Sequence, residues 1–141
     1  MDVLTKEQRH KNMSHIRDRD TKQEVIVRSA LFRAGFRFRK NDPRYPGKPD
    51  VVLPKYKTVI FVNGCFWHHH EGCKLAYIPK TRTDFWMKKF RQNQVNDKLQ
   101  REELEQLGWH VIYIWECELK KDFNSVIKRL IEILRKNGPD D

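Results

Sequence analysis

Nowhere in its 141 residues does the chain carry a run of about 18 apolar residues, the length needed to cross a membrane. Its opening, MDVLTKEQRHKNM, has no hydrophobic stretch resembling a secretion signal, so the sequence predicts a cytoplasmic protein. Cysteine is scarce. Three cysteines cannot pair completely, and in a reducing compartment metal binding or plain burial replaces a disulfide framework. Repeats, low-complexity tracts and linker-like stretches are also missing, which leaves one domain over residues 1–141, long enough for a single core. Acidic residues are the last shortage: 19 Asp and Glu face 29 Lys and Arg, a formal charge of +10. So large an excess on a small chain points to a polyanionic partner, beyond what solubility alone requires.

What is present organises into helices and short strands. Thr5 with Gln8, and Thr21 with Glu24, fit the capping box, in which a hydroxyl and a side-chain amide or carboxylate satisfy free helix donors, so two N-terminal helices are expected. In the second, Val27, Ala30, Leu31 and Ala34 repeat at helical spacing and Gly35 supplies a left-handed stop. Phe36 to Arg39 alternates like a short strand. PRYPGKPDVVLPKYKTVIFVNG then holds two β-branched runs joined around Pro54 and Lys55, a β-hairpin. His110 to Trp115 is apolar on consecutive residues, as in a strand covered on both faces. Thr83 to Leu107 is helical in composition and ends at Gly108, although its apolar period weakens around Asn93, a break that allows two helices. A last helix, capped by Asp122, aligns Val126, Ile127, Leu130, Ile131 and Leu134. This order predicts an α/β fold with a mixed central sheet.

Two clusters carry chemistry. In GCFWHHHEGC, Cys65, His70 and Cys73 lie close enough to converge on one ion, and Cys117 follows the strand ending at Trp115. A Cys3His set is a closed tetrahedron, which suits structural Zn2+. Spacing alone leaves His68 and His69 as alternatives to His70. The second cluster starts at Pro49-Asp50, which opens the hairpin, while the other hairpin strand ends at Val62, Asn63 and Gly64 just before the histidines. Mg2+ takes oxygen ligands and keeps waters, so one or two carboxylates with a backbone carbonyl suffice, and Asp50 is the natural first ligand. Glu24 either approaches the same ion or serves only its helix cap.

The segments PGKPD, IFVNGCFWHHHEGC, TRTDFW and GWHVIYIWEC together resemble the very short patch repair endonucleases, over a span from Lys11 to Cys117. The resemblance implies a three-layer core similar to restriction endonucleases of the PD and (D/E)XK type, with a departure at the second strand. It further implies that Asp50 and the carbonyl of Val62 bind Mg2+, that Glu24 acts through water on that ion, and that His68 activates the attacking water. Val62 and Asn63 stand where polar side chains are expected in the family. A carbonyl ligand tolerates Val62, but Asn63 lacks the proton that a histidine there would offer a leaving group.

By the same resemblance Phe66, Trp67 and Trp86 enter the DNA stack beside a mismatch, a site that opens more cheaply than paired DNA. The alternative for Trp86 is that it packs its helix on the sheet. Lys88, Lys89 and Arg91, with Lys11, Arg17 and Arg19 of a basic segment at 1–20, are expected to meet phosphates. The implied activity is a monomeric, Mg2+-dependent endonuclease that nicks duplex DNA 5′ to the thymine of a T·G mismatch left by deamination of 5-methylcytosine. Its nick would be handed to other repair proteins. The competing readings are a restriction-type nuclease acting on matched duplex and a non-catalytic zinc module that binds DNA.

Overall fold

A computed structural model describes residues 21–138. The helix expected around Thr5, and Lys11, Arg17 and Arg19, lie outside the described residues.

Helix α1, Lys22–Arg33, begins where its cap was expected: the Thr21 hydroxyl accepts the Glu24 amide at 3.3 Å. Its inward residues are Glu24, Val27, Arg28 and Leu31, so two charges share the buried stripe. Ala34 is exposed, and Gly35, at φ +97°, ends the helix in the left-handed region. The strand expected over 36–39 reduces to one bridge, Arg39 to Val52. Beyond it Asn41 turns left-handed at φ +48°, and the Arg44 guanidinium and amide bond Asp42, which holds that carboxyl down to about 2. The chain is therefore bent away before a second bridge pair can form.

The hairpin is present as strand β1, Val51–Leu53, a single 3-10 turn at Pro54–Tyr56, and strand β2, Thr58–Asn63. They pair antiparallel, Val51 opposite Ile60. Strand β3, His110–Trp115, pairs parallel with β2 from Thr58–His110 to Asn63–Trp115, giving a mixed sheet of order β1-β2-β3. A parallel neighbour needs a long crossover, and helix α2, Thr83–Gln106, supplies it before Gly108, at φ +91°, turns the chain back.

Each sheet face has its own core. Val51, Leu53, Ile60, Val62 and Ile114 pack under α1 and the last helix, α3, Glu116–Asn137. Val52, Val59 and Phe61, with Val111 and Tyr113, pack with Leu104 of α2 on the opposite face. The expectation that β3 is covered on both faces holds by this alternation, although as an edge strand it has only Ile114 fully buried. Asp122 interrupts α3 with φ −156° and accepts the Ser125 amide at 3.2 Å, so it caps the longer part as expected, and residues 116–121 form an extra helical turn before it. None of the described helices is long and apolar enough to cross a membrane.

Candidate active site and metal centre

Both clusters lie at the C-terminal end of β2. Asp50 immediately precedes β1, and because β1 runs antiparallel, its carboxylate extends the ladder past the last strand pair and accepts the Val62 amide at 2.5 Å. Within a strand, the N–H and C=O of one residue point to the same side, so the Val62 carbonyl is directed toward the edge that Asp50 occupies. Glu24, 3% exposed, comes in from the first turn of α1, accepts from the Arg28 guanidinium at 3.3 Å, and is hydrogen-bonded to Asp50. Burial, and next the charge of Glu24, push Asp50 up to about 7, while the Val62 amide and Arg28 pull the other way. The buried Glu24 and half-buried Asp50 carboxylates, hydrogen-bonded to each other beside a carbonyl, form an oxygen-rich corner that a small divalent cation fits. Asn63 is buried at the same strand end.

From there the chain enters a tight loop. The amides of His68, His69 and His70 donate to the carbonyls of Gly64, Phe66 and Cys65, and that of Cys73 to His70. The three histidines consequently face three ways. His70 Nδ1 lies 3.7 Å from Cys65 Sγ and 3.4 Å from Cys117 Sγ, and its ring stacks on Trp115 at 4.0 Å. Cys65, His70, Cys73 and Cys117 bring their ligand atoms within 4.8 Å of one another, a group that could hold one metal ion. Among the three histidines that spacing left open, His70 is the one whose ring nitrogen lies among the cysteine sulfurs. Burial pushes the Cys65 thiol up to about 12 and raises Cys117, whereas backbone donors around Leu75 lower Cys73. A bound cation would offset the cost of ionising the buried Cys65 and half-buried Cys117 thiols.

His69 sits at φ +47° with its ring stacked on Phe90 at 4.5 Å and its buried Nδ1 without a hydrogen bond among the described residues. His68 turns toward α2, where Nδ1 meets the Asp97 carboxylate at 2.6 Å. A carboxylate only accepts, so Nδ1 carries a proton, and in the neutral ring Nε2 keeps its lone pair. Asp97 was not anticipated from sequence. Nor were Asn93, which donates to the Trp67 carbonyl at 2.7 Å, and Glu116, whose carboxylate accepts from the Cys65 amide at 3.4 Å and from Gln23 of α1 at 3.2 Å. The weakened apolar period around Asn93 was the available signal. Helix α2 runs unbroken there, with polar residues facing inward because they meet this loop and not the core.

The aromatic residues gather beside the same loop. Phe66 lies 5.3 Å from Trp67, 5.3 Å from Trp86 and 5.2 Å from Phe90, and Trp86 contacts Trp67 at 5.8 Å. Among the described residues, Trp86's ring partners are aromatic residues of this loop or of its own helix. Lys88, Lys89 and Arg91 are exposed on α2.

Comparison with known proteins gives the family. The family described as DNA mismatch endonuclease Vsr matches residues 1–74. A type II nicking enzyme of Neisseria meningitidis serogroup A is 52% identical over 119 residues, 84% of each chain. The DNA mismatch endonuclease Vsr of Escherichia coli is 45% identical over 119 residues, 84% of this chain and 76% of its own, and a type II nicking enzyme of Xanthomonas oryzae is 41% identical over 94% of this chain. A small α/β protein with these relatives is a DNA endonuclease. The chain belongs to the Vsr family.

Proposed function

We propose that this endonuclease nicks one strand of duplex DNA 5′ to the thymine of a T·G mismatch, the lesion left by deamination of 5-methylcytosine. In this reading Asp50 and the Val62 carbonyl hold Mg2+, with Glu24 acting from the far side of the carboxylate pair. When bound there, the ion would neutralise charge that builds on the scissile phosphate. His68 takes a proton from the attacking water through Nε2, and Asp97 fixes the tautomer that leaves this nitrogen free. Asn63 donates a hydrogen bond toward the phosphate but supplies no proton. The observation that supports the reading is the Asp50–Glu24 carboxylate pair at the end of β2, with the His68–Asp97 pair held by the loop that leaves the same strand.

Cys65, His70, Cys73 and Cys117 hold Zn2+ in a structural role, since four protein ligands leave no open position for chemistry. Phe66, Trp67 and Trp86 enter the stack beside the mismatch, while Lys89 and, from the basic segment at 1–20, Arg19 meet phosphates. The whole of 1–141 acts as one cytoplasmic, monomeric domain with a core of the restriction-endonuclease kind, and releases its nick to other repair proteins. The test compares nicking of two duplexes that differ only in T·G or C·G at one position. Strong preference for T·G is expected; equal rates would reject mismatch selectivity.

A further inference from the structure

Helix α1 turns two charges inward. Glu24 enters the carboxylate corner, and Arg28, one helical turn later and 6% exposed, donates to it at 3.3 Å. Their companions on that stripe, Val27 and Leu31, are fully buried. A buried ion pair is a poor source of stability, because desolvating both charges offsets their attraction and apolar side chains of similar volume often serve as well or better. So buried a guanidinium also offers little surface to a DNA phosphate. Its charge is directed inward, onto Glu24 and through space onto Asp50.

Arginine stays charged when buried, so the corner that would hold a divalent ion already holds a cation. Charge counting then fixes what Arg28 does. In the metal-free corner it offsets one of the two carboxylates, which would otherwise repel the scissile phosphate. With a divalent ion held, the two carboxylates and the guanidinium leave the set with one positive charge in excess, and a phosphodiester brings the one negative charge that cancels it. We infer that Arg28 is a positioning residue that ties the metal to the substrate: it admits the phosphate to the carboxylate corner and keeps a divalent ion weakly held until that phosphate is there. This rests on the reading above that Asp50 and the Val62 carbonyl hold Mg2+, and it adds which of the two partners the metal-free corner accepts.

The test measures two affinities of the full-length protein at about pH 8, above the value of Asp50: Mg2+ without DNA, by calorimetry, and a T·G duplex in magnesium-free buffer. Arg28→Gln keeps a donor for Glu24 and removes the charge. It should bind Mg2+ about 10-fold or more tightly than wild type, the order set by one charge close to a divalent ion, and the duplex about 10-fold more weakly. Arg28→Met fills similar space without charge and should shift both in the same directions, whereas Arg28→Lys should stay near wild type. Each variant is compared below its own melting transition. Loss of a merely structural pair would weaken both affinities or neither, so the opposite signs are diagnostic. Unchanged or weaker Mg2+ binding in Arg28→Gln and Arg28→Met would overturn the inference, as would unchanged or tighter binding of the duplex. Adding Asp50→Ala to Arg28→Gln should abolish the gain in Mg2+ affinity; a gain that survives would put the ion elsewhere and sink the reading of Asp50 as its ligand, and the inference with it.

Discussion

The two halves of the site leave the same strand end but are held by different forces. The carboxylate corner is built on backbone: Asp50 sits one residue before β1, the Val62 amide fixes it, and α1 brings Glu24 from a capped first turn. The histidine loop has almost no regular structure. It is held by its own turn amides, by Asn93 and Asp97 of α2, by Glu116 at the start of α3, and by a four-residue cluster. The proposed catalytic pair, Asp50 and His68, thus has one member set by sheet geometry and another set by side chains around a cluster that could hold a metal.

The sharpest way to break that contrast is to remove the cluster. Cys117→Ala should release the zinc, whose binding to such sets is worth about 10 kcal/mol or more, and abolish nicking. Hydrogen exchange should show the His68, His69, His70 and Cys73 amides unprotected while the Val62 amide stays slow. Equal loss in both places would mean the two halves are one unit. Asp50→Ala should do the reverse, with nicking down about 10³-fold or more and zinc content unchanged, as metal analysis and single-turnover rates would show. Asp97→Asn keeps the shape but no longer requires the proton on Nδ1; we expect a drop of about 10²-fold and a changed pH–rate profile, with DNA affinity near wild type.

A smaller effect concerns pH. The folded protein holds Asp50 above its ordinary value of 3.8, up to about 7, because of burial and Glu24. The stability it contributes is full below 3.8 and is lost as pH rises through about 7. In magnesium-free buffer the wild-type melting temperature should therefore fall across that window more than that of Asp50→Asn. Added Mg2+ should reduce the fall by stabilising the charged pair. Smallest is the cap of α3, remote from both halves: Asp122→Ala should cost about 1 kcal/mol in denaturant melts and leave nicking unchanged.

The same contrast explains what could be read from sequence. The hairpin, β3, the Thr21 and Asp122 caps and the glycine stops follow from local chemistry, so the carboxylate corner and its strand end were legible. The cysteines were legible because metal ligands have few substitutes. Asp97, Asn93 and Glu116 were not, since each acts on a loop 26 to 51 residues away, and an isolated polar residue on a helix does not announce its partner. In the 24-residue α2 an apparent gap in the apolar stripe is the stretch whose polar residues bond the histidine loop. The strand expected at 36–39 failed for a related reason: alternation was present, but β1 is three residues long and offers it a single bridge.

The central claim is that Asp50 and His68 act on one phosphodiester, and a double-mutant cycle tests it directly. Single-turnover nicking of a T·G duplex would be measured for Asp50→Ala, His68→Ala and the pair together. Groups that work as a unit are strongly non-additive, so the double variant should be little slower than the worse single one. Losses that multiply would mean the two groups act independently, and would contradict the account.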